Sequence, residues 1–497
     1  MAHVIQTIDL STLENLPSHL LSHEYAAKYL ALPVKHQGNH LWIAIEDPTC
    51  DKSLSDLADI TGLFIVPLKA NSTDIRRRMD QIYGEEAMHT IASQFLVEEK
   101  LRLRTVAPDA ALLAELLSAP AVKLIDSLIE SGVASRASDI HIEPYGSLLR
   151  ARYRVDGELV SFPTVDLSLL PNVISRLKIM GDMDIAEKRV PQDGHFSMKV
   201  LGENIEFRLS TMPTHLGEKA AIRLLYGQSA RLKKEDLGFF PDDLATLTKL
   251  FHKPHGAIFM TGPTGSGKST TLTSFLEELN HEKRNIITVE DPIENPITGV
   301  NHVKVERAAG LDFANALRHI LRQDPDIIMI GEVRDEETAR IAIQAAITGH
   351  VVLSTLHTND AAGVIERLQD MGIEPYLAAA ALNGIISQRL VRRICPDCKI
   401  PAKLTEYEAV FLNLPIDEPV FSGVGCARCN NTGYKGRLAV YEYIIMNEKL
   451  RRRMSEHPAR LAQDLRSTYG LKANAAKNVQ KGHTTANEAL RLLEGWE

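Results

Sequence analysis

Three groups of residues in this 497-residue chain have the types and spacing to do chemistry. The first is Gly262-Pro263-Thr264-Gly265-Ser266-Gly267-Lys268-Ser269, with Thr270 following, and it fits G-x-x-x-x-G-K-[ST]. Such a loop wraps nucleotide phosphates: its glycines let backbone N–H groups turn inward, the lysine reaches the β- and γ-phosphates, and the hydroxyl of Ser269 holds Mg²⁺. The second group is acidic. Glu290, Asp291 and Glu294 follow the apolar run Asn285–Val289, and Glu332 follows Ile327–Ile330 and Gly331. Carboxylates at the ends of buried strands lie on the ligand side of an open α/β sheet, where they organise Mg²⁺ or an attacking water. Aspartate is the usual residue at the second of these places, and here it is Glu332. Residue types leave open whether Glu332 or a carboxylate of the Glu290–Glu294 stretch polarises the water. The third group is Cys395-x-x-Cys398 with Cys426-x-x-Cys429. Four thiolates at that spacing suit tetrahedral Zn²⁺ in a closed, structural site, whereas a redox pair needs only one C-x-x-C. Cys50 stands apart and reads as an ordinary thiol.

Two further pairs are ambiguous by type. His350 and His357 bracket a buried strand, His350–Leu356, and serve either its structure or the nucleotide site. Arg318 and Arg322 share one face of the helical stretch Phe313–Arg322, as a solvated basic stripe or as a pair aimed at phosphate.

The elements that must position these residues can be traced along the chain. The apolar run Ala257–Met260 leads into the phosphate loop, and an amphipathic helix, Ser269–Leu279, leads out. The domain reading is a small α/β module over 1–84, a linker over 85–109 and a second α/β module over 110–227. A connector over 228–236 and a nucleotide unit over 237–497 follow, the latter containing a zinc module over 393–440. In the first module Glu24–Leu30 reads as helix, His40–Ile45 as strand and Asp74–Ile82 as a closing helix. In the second, Asp139–Glu143, Leu149–Val155, Ile205–Ser210 and Ala220–Leu225 read as strands and Asn172–Met180 as a helix.

Composition is that of an ordinary soluble chain, 44% hydrophobic and 24% charged. A net charge of −8, without interleaved aromatic and basic residues, argues against a nucleic-acid machine. Met1–Leu13 lacks the apolar core of a secretory signal, and Ala110–Ile129 is interrupted by Glu115, Lys123 and Asp126, so any membrane role is expected to be peripheral. Paired C-x-x-C units among only five cysteines point to a reducing compartment.

From Gly262 to Asp360 the segments G-P-T-G-S-G-K-S-T, T-V-E-D-P-I-E, L-R-Q-D-P-D-I-I-M-I-G-E-V-R-D and T-G-H-V-V-L-S-T-L-H-T-N-D stand in order. Together they resemble the secretion ATPases that drive type II secretion and type IV pilus assembly. Ser138–Pro144, Arg152–Gly157 and Asp184–Gly194 extend the resemblance upstream, and Ser387–Arg393 with the cysteine module extend it downstream. The resemblance implies a RecA-like P-loop ATPase core with a PAS-like second N-terminal domain. It implies roles for Glu290 and Glu294 in an aspartate box, Glu332 in a Walker B motif, and His350 and His357 in a histidine box. Members work as six-subunit rings whose N-terminal domains close over nucleotide; the matching arginines are Arg208 and Arg223, acting with Arg318 and Arg322. The cysteine module marks assembly and secretion members rather than retraction motors. Arg284–Glu294 and the tail Lys481–Leu493 favour type II secretion, with pilus extension as the alternative, although Lys219, His195 and Asn295 depart from the usual pattern. The implied setting is the cytoplasm of a Gram-negative bacterium, peripheral on the inner membrane, beside a recruiting protein and a platform protein. Residues 1–84 contain no R-L-G repeat start, so cyclic-dinucleotide binding is not expected.

Overall fold

The computed structural model describes residues 10, 16–17, 20–21, 23–48, 51–72, 74–75, 78–79, 119–226, 232–468 and 470–494. Cys50, the 85–109 linker and most of the expected closing helix after Asp74 lie outside these residues. The chain divides into two compact units, Met1–Leu225 and Tyr226–Glu497.

The first unit begins with a helix, His23–Tyr29, and the strands β1 (Ala31–Gln37), β2 (His40–Ile45) and β3 (Phe64–Lys69). β1 runs antiparallel and β3 parallel to β2. A parallel neighbour needs a crossover, and the helix Asp51–Thr61 supplies it. Sequence periodicity places no element between Ile45 and Asp74, so this helix and β3 are additions. The same unit carries a second sheet built from β4 (Asp139–Tyr145), β5 (Leu148–Val155), β6 (Glu158–Ser161), β7 (Val165–Asp166), β8 (Gln192–Val200), β9 (Glu203–Thr214) and β10 (Gly217–Tyr226). Its order is β6-β5-β4-β10-β9-β8, with β7 paired to β5. Alternation along β9 sends Ile205, Phe207 and Leu209 into the core and leaves Arg208 between them on the other face.

The second unit is organised by one seven-stranded sheet, order β13-β12-β14-β15-β11-β16-β19. These strands are β11 (Gly256–Thr261), β12 (Ile286–Glu290), β13 (Asn301–Lys304), β14 (Ile327–Ile330), β15 (Val351–Leu356), β16 (Leu382–Ile394) and β19 (Tyr434–Ile445). All pairings from β13 to β16 are parallel, and β19 closes one edge antiparallel to β16. Helices cover both faces, which explains why β11, β14 and β15 are buried end to end rather than alternating. Phe259, Val289, Ile330 and Val352 enter one core, whereas Ile258, Met260, Met329 and Leu353 enter the other with the stacked pair Phe251 and Phe275. Because these strands are parallel, their C-terminal ends share one edge. A small hairpin, β17 (Lys399–Ala402) with β18 (Val420–Gly423), projects between β16 and β19. Four helices between Glu448 and Glu494 finish the unit. Among the described residues no helix is long and apolar enough to cross a membrane.

Candidate active site

The phosphate loop leaves β11 at Thr261 and enters the helix Lys268–Leu279 at its first residue. Two of its glycines are dictated by geometry. Gly262 has φ 142° and Gly267 φ 83°, and a Cβ on either would fall 2.4 Å and 2.9 Å, respectively, from Gln388. Gln388 lies in β16 just beyond the strand pair Thr261 and Ser387, directly beneath the loop. Its amide donates to the Ser266 carbonyl at 2.8 Å and accepts from Thr271 Oγ1 at 2.9 Å. Arg389 donates to the Gln388 carbonyl at 2.9 Å and to that of Asn359 at 2.6 Å. The loop is therefore shaped from below by two buried polar side chains that motif spacing does not single out. Their only sequence signal is a polar S-Q-R interrupting the long apolar strand β16.

Lys268 Nζ donates to the Gly262 and Pro263 carbonyls at 2.7 and 3.1 Å, curled onto its own loop. Burial and the Arg389 guanidinium push its pKa down to about 8 against the opposing pull of Glu332. Ser266 Oγ is buried with no hydrogen-bond partner. A strained loop at a helix N-terminus, with an underpaired lysine and an orphaned hydroxyl, has the donors a polyphosphate needs. Ser269 and Thr270 are exposed on the first helical turn.

The strand ends bring the predicted acids together. Val289 pairs with Ile330, and the Gly331 N–H donates to the Val289 carbonyl at 2.8 Å. A Cβ on residue 331 would lie 3.3 Å from that carbonyl and 3.5 Å from Glu290 Cα. The small residue thus lets β14 run close past Glu290 before the chain delivers Glu332. Glu332 Oε1 accepts from Arg334 at 2.5 Å, and Oε2 lies 3.4 Å from His357 Nε2. Arg334 is absent from the sequence-based site, and its pairing with Glu332 raises its pKa. The loop after His357 is tied back to β11, since Thr261 Oγ1 accepts from the Thr358 N–H at 2.8 Å. Arg466, from the C-terminal helices, donates to Asp360 at 2.7 Å and also holds Glu366.

Other predicted residues lie elsewhere. His350 precedes β15, a six-residue strand about 20 Å long, and so sits at the opposite edge from His357. There its Nδ1 bonds the Ala345 carbonyl at 3.0 Å. Glu294 is exposed in the loop after β12. Arg318 pairs with Glu337, while Arg322 donates to the Arg318 carbonyl at 2.9 Å and contacts His319. None of these recorded contacts is with the phosphate loop. Arg208 and Arg223 belong to the first unit, where Arg223 pairs with Asp139 at 3.1 Å and remains largely exposed.

Cys395, Cys398, Cys426 and Cys429 come together at the base of the β17–β18 hairpin, all four sulfurs within 4.8 Å of one another. Recorded Sγ–Sγ separations are 3.7, 3.9 and 3.7 Å. A tetrahedral Zn²⁺ with bonds of about 2.3 Å sets its sulfurs about 3.8 Å apart. The N–H groups of Cys426 and Gly433 donate to Cys429 Sγ at 3.2 and 3.3 Å, as suits a metal-bound thiolate. The residues present therefore fit structural zinc.

A parallel sheet whose strand ends gather a phosphate loop, Glu290, Glu332 and His357 defines a phosphate-loop ATPase. Comparison with known proteins narrows the class. The Type II/IV secretion system protein family matches residues 114–491, and the MshEN domain matches residues 5–89. The chain belongs to the Type II/IV secretion system protein family and is an ATPase of that family. It is 41% identical over 435 residues to the type II secretion system protein E of Aeromonas hydrophila, covering 86% of this chain and 85% of that one. It is 39% identical over 494 residues to the type IV pilus assembly ATPase PilB of Myxococcus xanthus, covering 95% and 85%. Among solved structures, the pilus retraction motor PilT with bound ADP is 28% identical with TM-score 0.51, covering 74% of this chain and 96% of that one. The Legionella pneumophila ATPase DotB shares the fold, at 22% identity and TM-score 0.56 over 75% and 96%.

Proposed function

We propose that this chain is the ATP-hydrolysing motor of a type II protein secretion system, powering pseudopilus assembly and protein export. The observation that carries the chemistry is the single strand edge holding Lys268, Glu290, Glu332 and His357. ATP lies along the loop, with its phosphates on the backbone N–H groups and Lys268. Ser269 and Glu332 are the residues that would hold Mg²⁺, which supplies charge neutralisation for the β- and γ-phosphates when bound. Water attacks the γ-phosphorus, the bond to the β-bridging oxygen breaks, and the water's proton passes to a strand-end carboxylate. We assign that carboxylate to Glu290, because Glu332 is shared between Arg334 and His357.

The same reading has six copies forming a ring, with Arg208 and Arg223 of the first unit closing over nucleotide together with Arg318 and Arg322. The exposure of Arg223, Arg318 and Arg322 supports it, since a charge that reaches the γ-phosphate only on closure couples chemistry to motion. The antiparallel sheet of β4–β10 supports a PAS-like reading of that domain. The N-terminal module would meet a recruiting protein and the ring a platform protein at the inner membrane, with no cyclic dinucleotide and no nucleic acid involved. The four cysteines would hold zinc.

Pilus extension is the second reading, and one observation favours it. The PilB proteins of Myxococcus xanthus and Thermus thermophilus align with 95% and 96% of the chain, whereas protein E of Aeromonas hydrophila aligns with 86%. Replacing the gene in its own cells with Lys268→Ala decides between them. Loss of secreted enzymes with normal pili is expected; loss of pili with normal secretion would transfer the chain to pilus assembly.

A further inference from the structure

Glu290 is held by a neighbour that no motif contains. In the parallel pair β12–β13, Thr288 lies opposite His302, and both share a face with Glu290. Thr288 Oγ1 donates to Glu290 Oε1 at 2.7 Å, and His302 Nδ1 lies 2.9 Å from the same oxygen. On the far side of the ring, the Ile297 N–H donates to His302 Nε2 at 2.8 Å. A ring nitrogen that accepts from a backbone N–H carries no proton, so the single proton of the neutral imidazole is on Nδ1 and is directed at the carboxylate. Nδ1 also lies 2.8 Å from Thr288 Oγ1, whose remaining lone pairs can share that proton. The arrangement is nearly closed to solvent: the Glu290 and His302 side chains are 12% and 10% exposed, and Thr288 is fully buried.

We propose that His302 is a positioning residue for ATP hydrolysis. As an Nδ1–H imidazole it commits Oε1 of Glu290 as an acceptor, so that Oε2 is the oxygen that takes the proton of the attacking water. Among the described residues both bonds to this carboxylate fall on Oε1. By accepting from Ile297, His302 fixes its own tautomer and anchors the 291–297 loop that leaves the site. This is the orienting logic of a base held by a third group, with a histidine orienting a carboxylate. The inference rests on the assignment of Glu290 as the proton acceptor.

Two substitutions separate the two ends of the ring. The Asn amide nitrogen reaches the position of Nδ1 and keeps a donor for Glu290, whereas the Gln amide oxygen reaches the position of Nε2 and keeps an acceptor for Ile297. Steady-state ATPase of the full chain should show His302→Ala losing about 10-fold or more in kcat, with KM for ATP within about twofold. His302→Asn should recover most of kcat and His302→Gln should not. Adding His302→Ala to Glu290→Gln should cost nothing further, since the residue being positioned is already lost. Recovery by Gln rather than Asn would overturn the proposal in favour of a loop anchor, as would an undiminished loss in the Glu290→Gln background. Glu290→Gln turning over at the wild-type rate would instead sink the assignment of Glu290, a different result from a slow Glu290→Gln beside a fully active His302→Ala.

Discussion

The strand edge and the cysteine cluster are both assembled from short motifs far apart in sequence, yet they are finished in opposite ways. At the strand edge polar groups are held half-committed. Lys268 leans on its own loop carbonyls, Ser266 Oγ is buried without a partner, and Glu332 divides its oxygens between Arg334 and His357. Such contacts can be exchanged for phosphate at little cost. At the cysteine cluster the sulfurs already stand at the separations of a closed tetrahedron, and backbone N–H groups fill the outer shell. The first arrangement stores unpaired donors for a ligand that comes and goes; the second leaves no place for a substrate. Turnover should therefore depend on the edge and stability on the cluster, with little crossover.

The sharpest test of that division is Lys268→Ala. Removing the one ammonium in the loop should lower ATPase activity by at least about 10³-fold, to background in a phosphate-release assay, while the metal content of the protein stays unchanged. Glu332→Gln should come next. It keeps the shape but removes the charge and trades one acceptor oxygen for a donor, so ATP binding by calorimetry should hold within a few-fold while turnover falls about 10²-fold. If ATP binding fell as far as turnover, the Mg²⁺-holding role proposed for Glu332 would serve the ground state as much as the chemistry.

The cluster should behave in reverse. Cys398→Ser, or prolonged treatment with a strong chelator, should remove one zinc per chain and lower the melting temperature by roughly 5–10 °C. KM for ATP should stay within about twofold at temperatures below the new transition. Full stability after complete metal loss would mean that the apolar packing of Val391, Leu404, Val420 and Leu438 carries this region unaided.

How much of this was legible follows from which physical rules act locally. The phosphate loop, the apolar strands ending in Glu290 and Glu332, and the paired C-x-x-C units are legible because backbone freedom, burial and ligand number each demand particular residues at fixed spacing. Gln388, Arg389 and Arg334 were not. The first two lie more than a hundred residues from the loop they support, and only the parallel register of β11 with β16 brings them under it. Arg334 looks like any solvent-facing arginine until its partner is seen. The helix Asp51–Thr61 and β3 escape for another reason: polar residues outnumber apolar ones along the helix, and β3 carries Pro67, a residue rare inside strands.

The two histidines give the smallest and most discriminating contrast, because by sequence they are equivalent. Each flanks the same buried strand, but a parallel strand has a chemical end and a structural end. His357 stands at the end shared with the phosphate loop, 3.4 Å from Glu332. His350 stands at the other, bonded to the last turn of the helix Glu336–Ile347. His357→Ala should therefore reduce kcat by about 10-fold, leave the melting temperature within a degree or two, and lose its effect in a Glu332→Gln background. His350→Ala removes one half-buried hydrogen bond, worth about 1 kcal/mol, and should shift the melting temperature by about 2–4 °C with turnover changed less than twofold. If His350→Ala instead cost as much activity as His357→Ala, distance along the strand would be the wrong guide, and the far edge of the sheet would have to act through motion of the strand or through a neighbouring subunit.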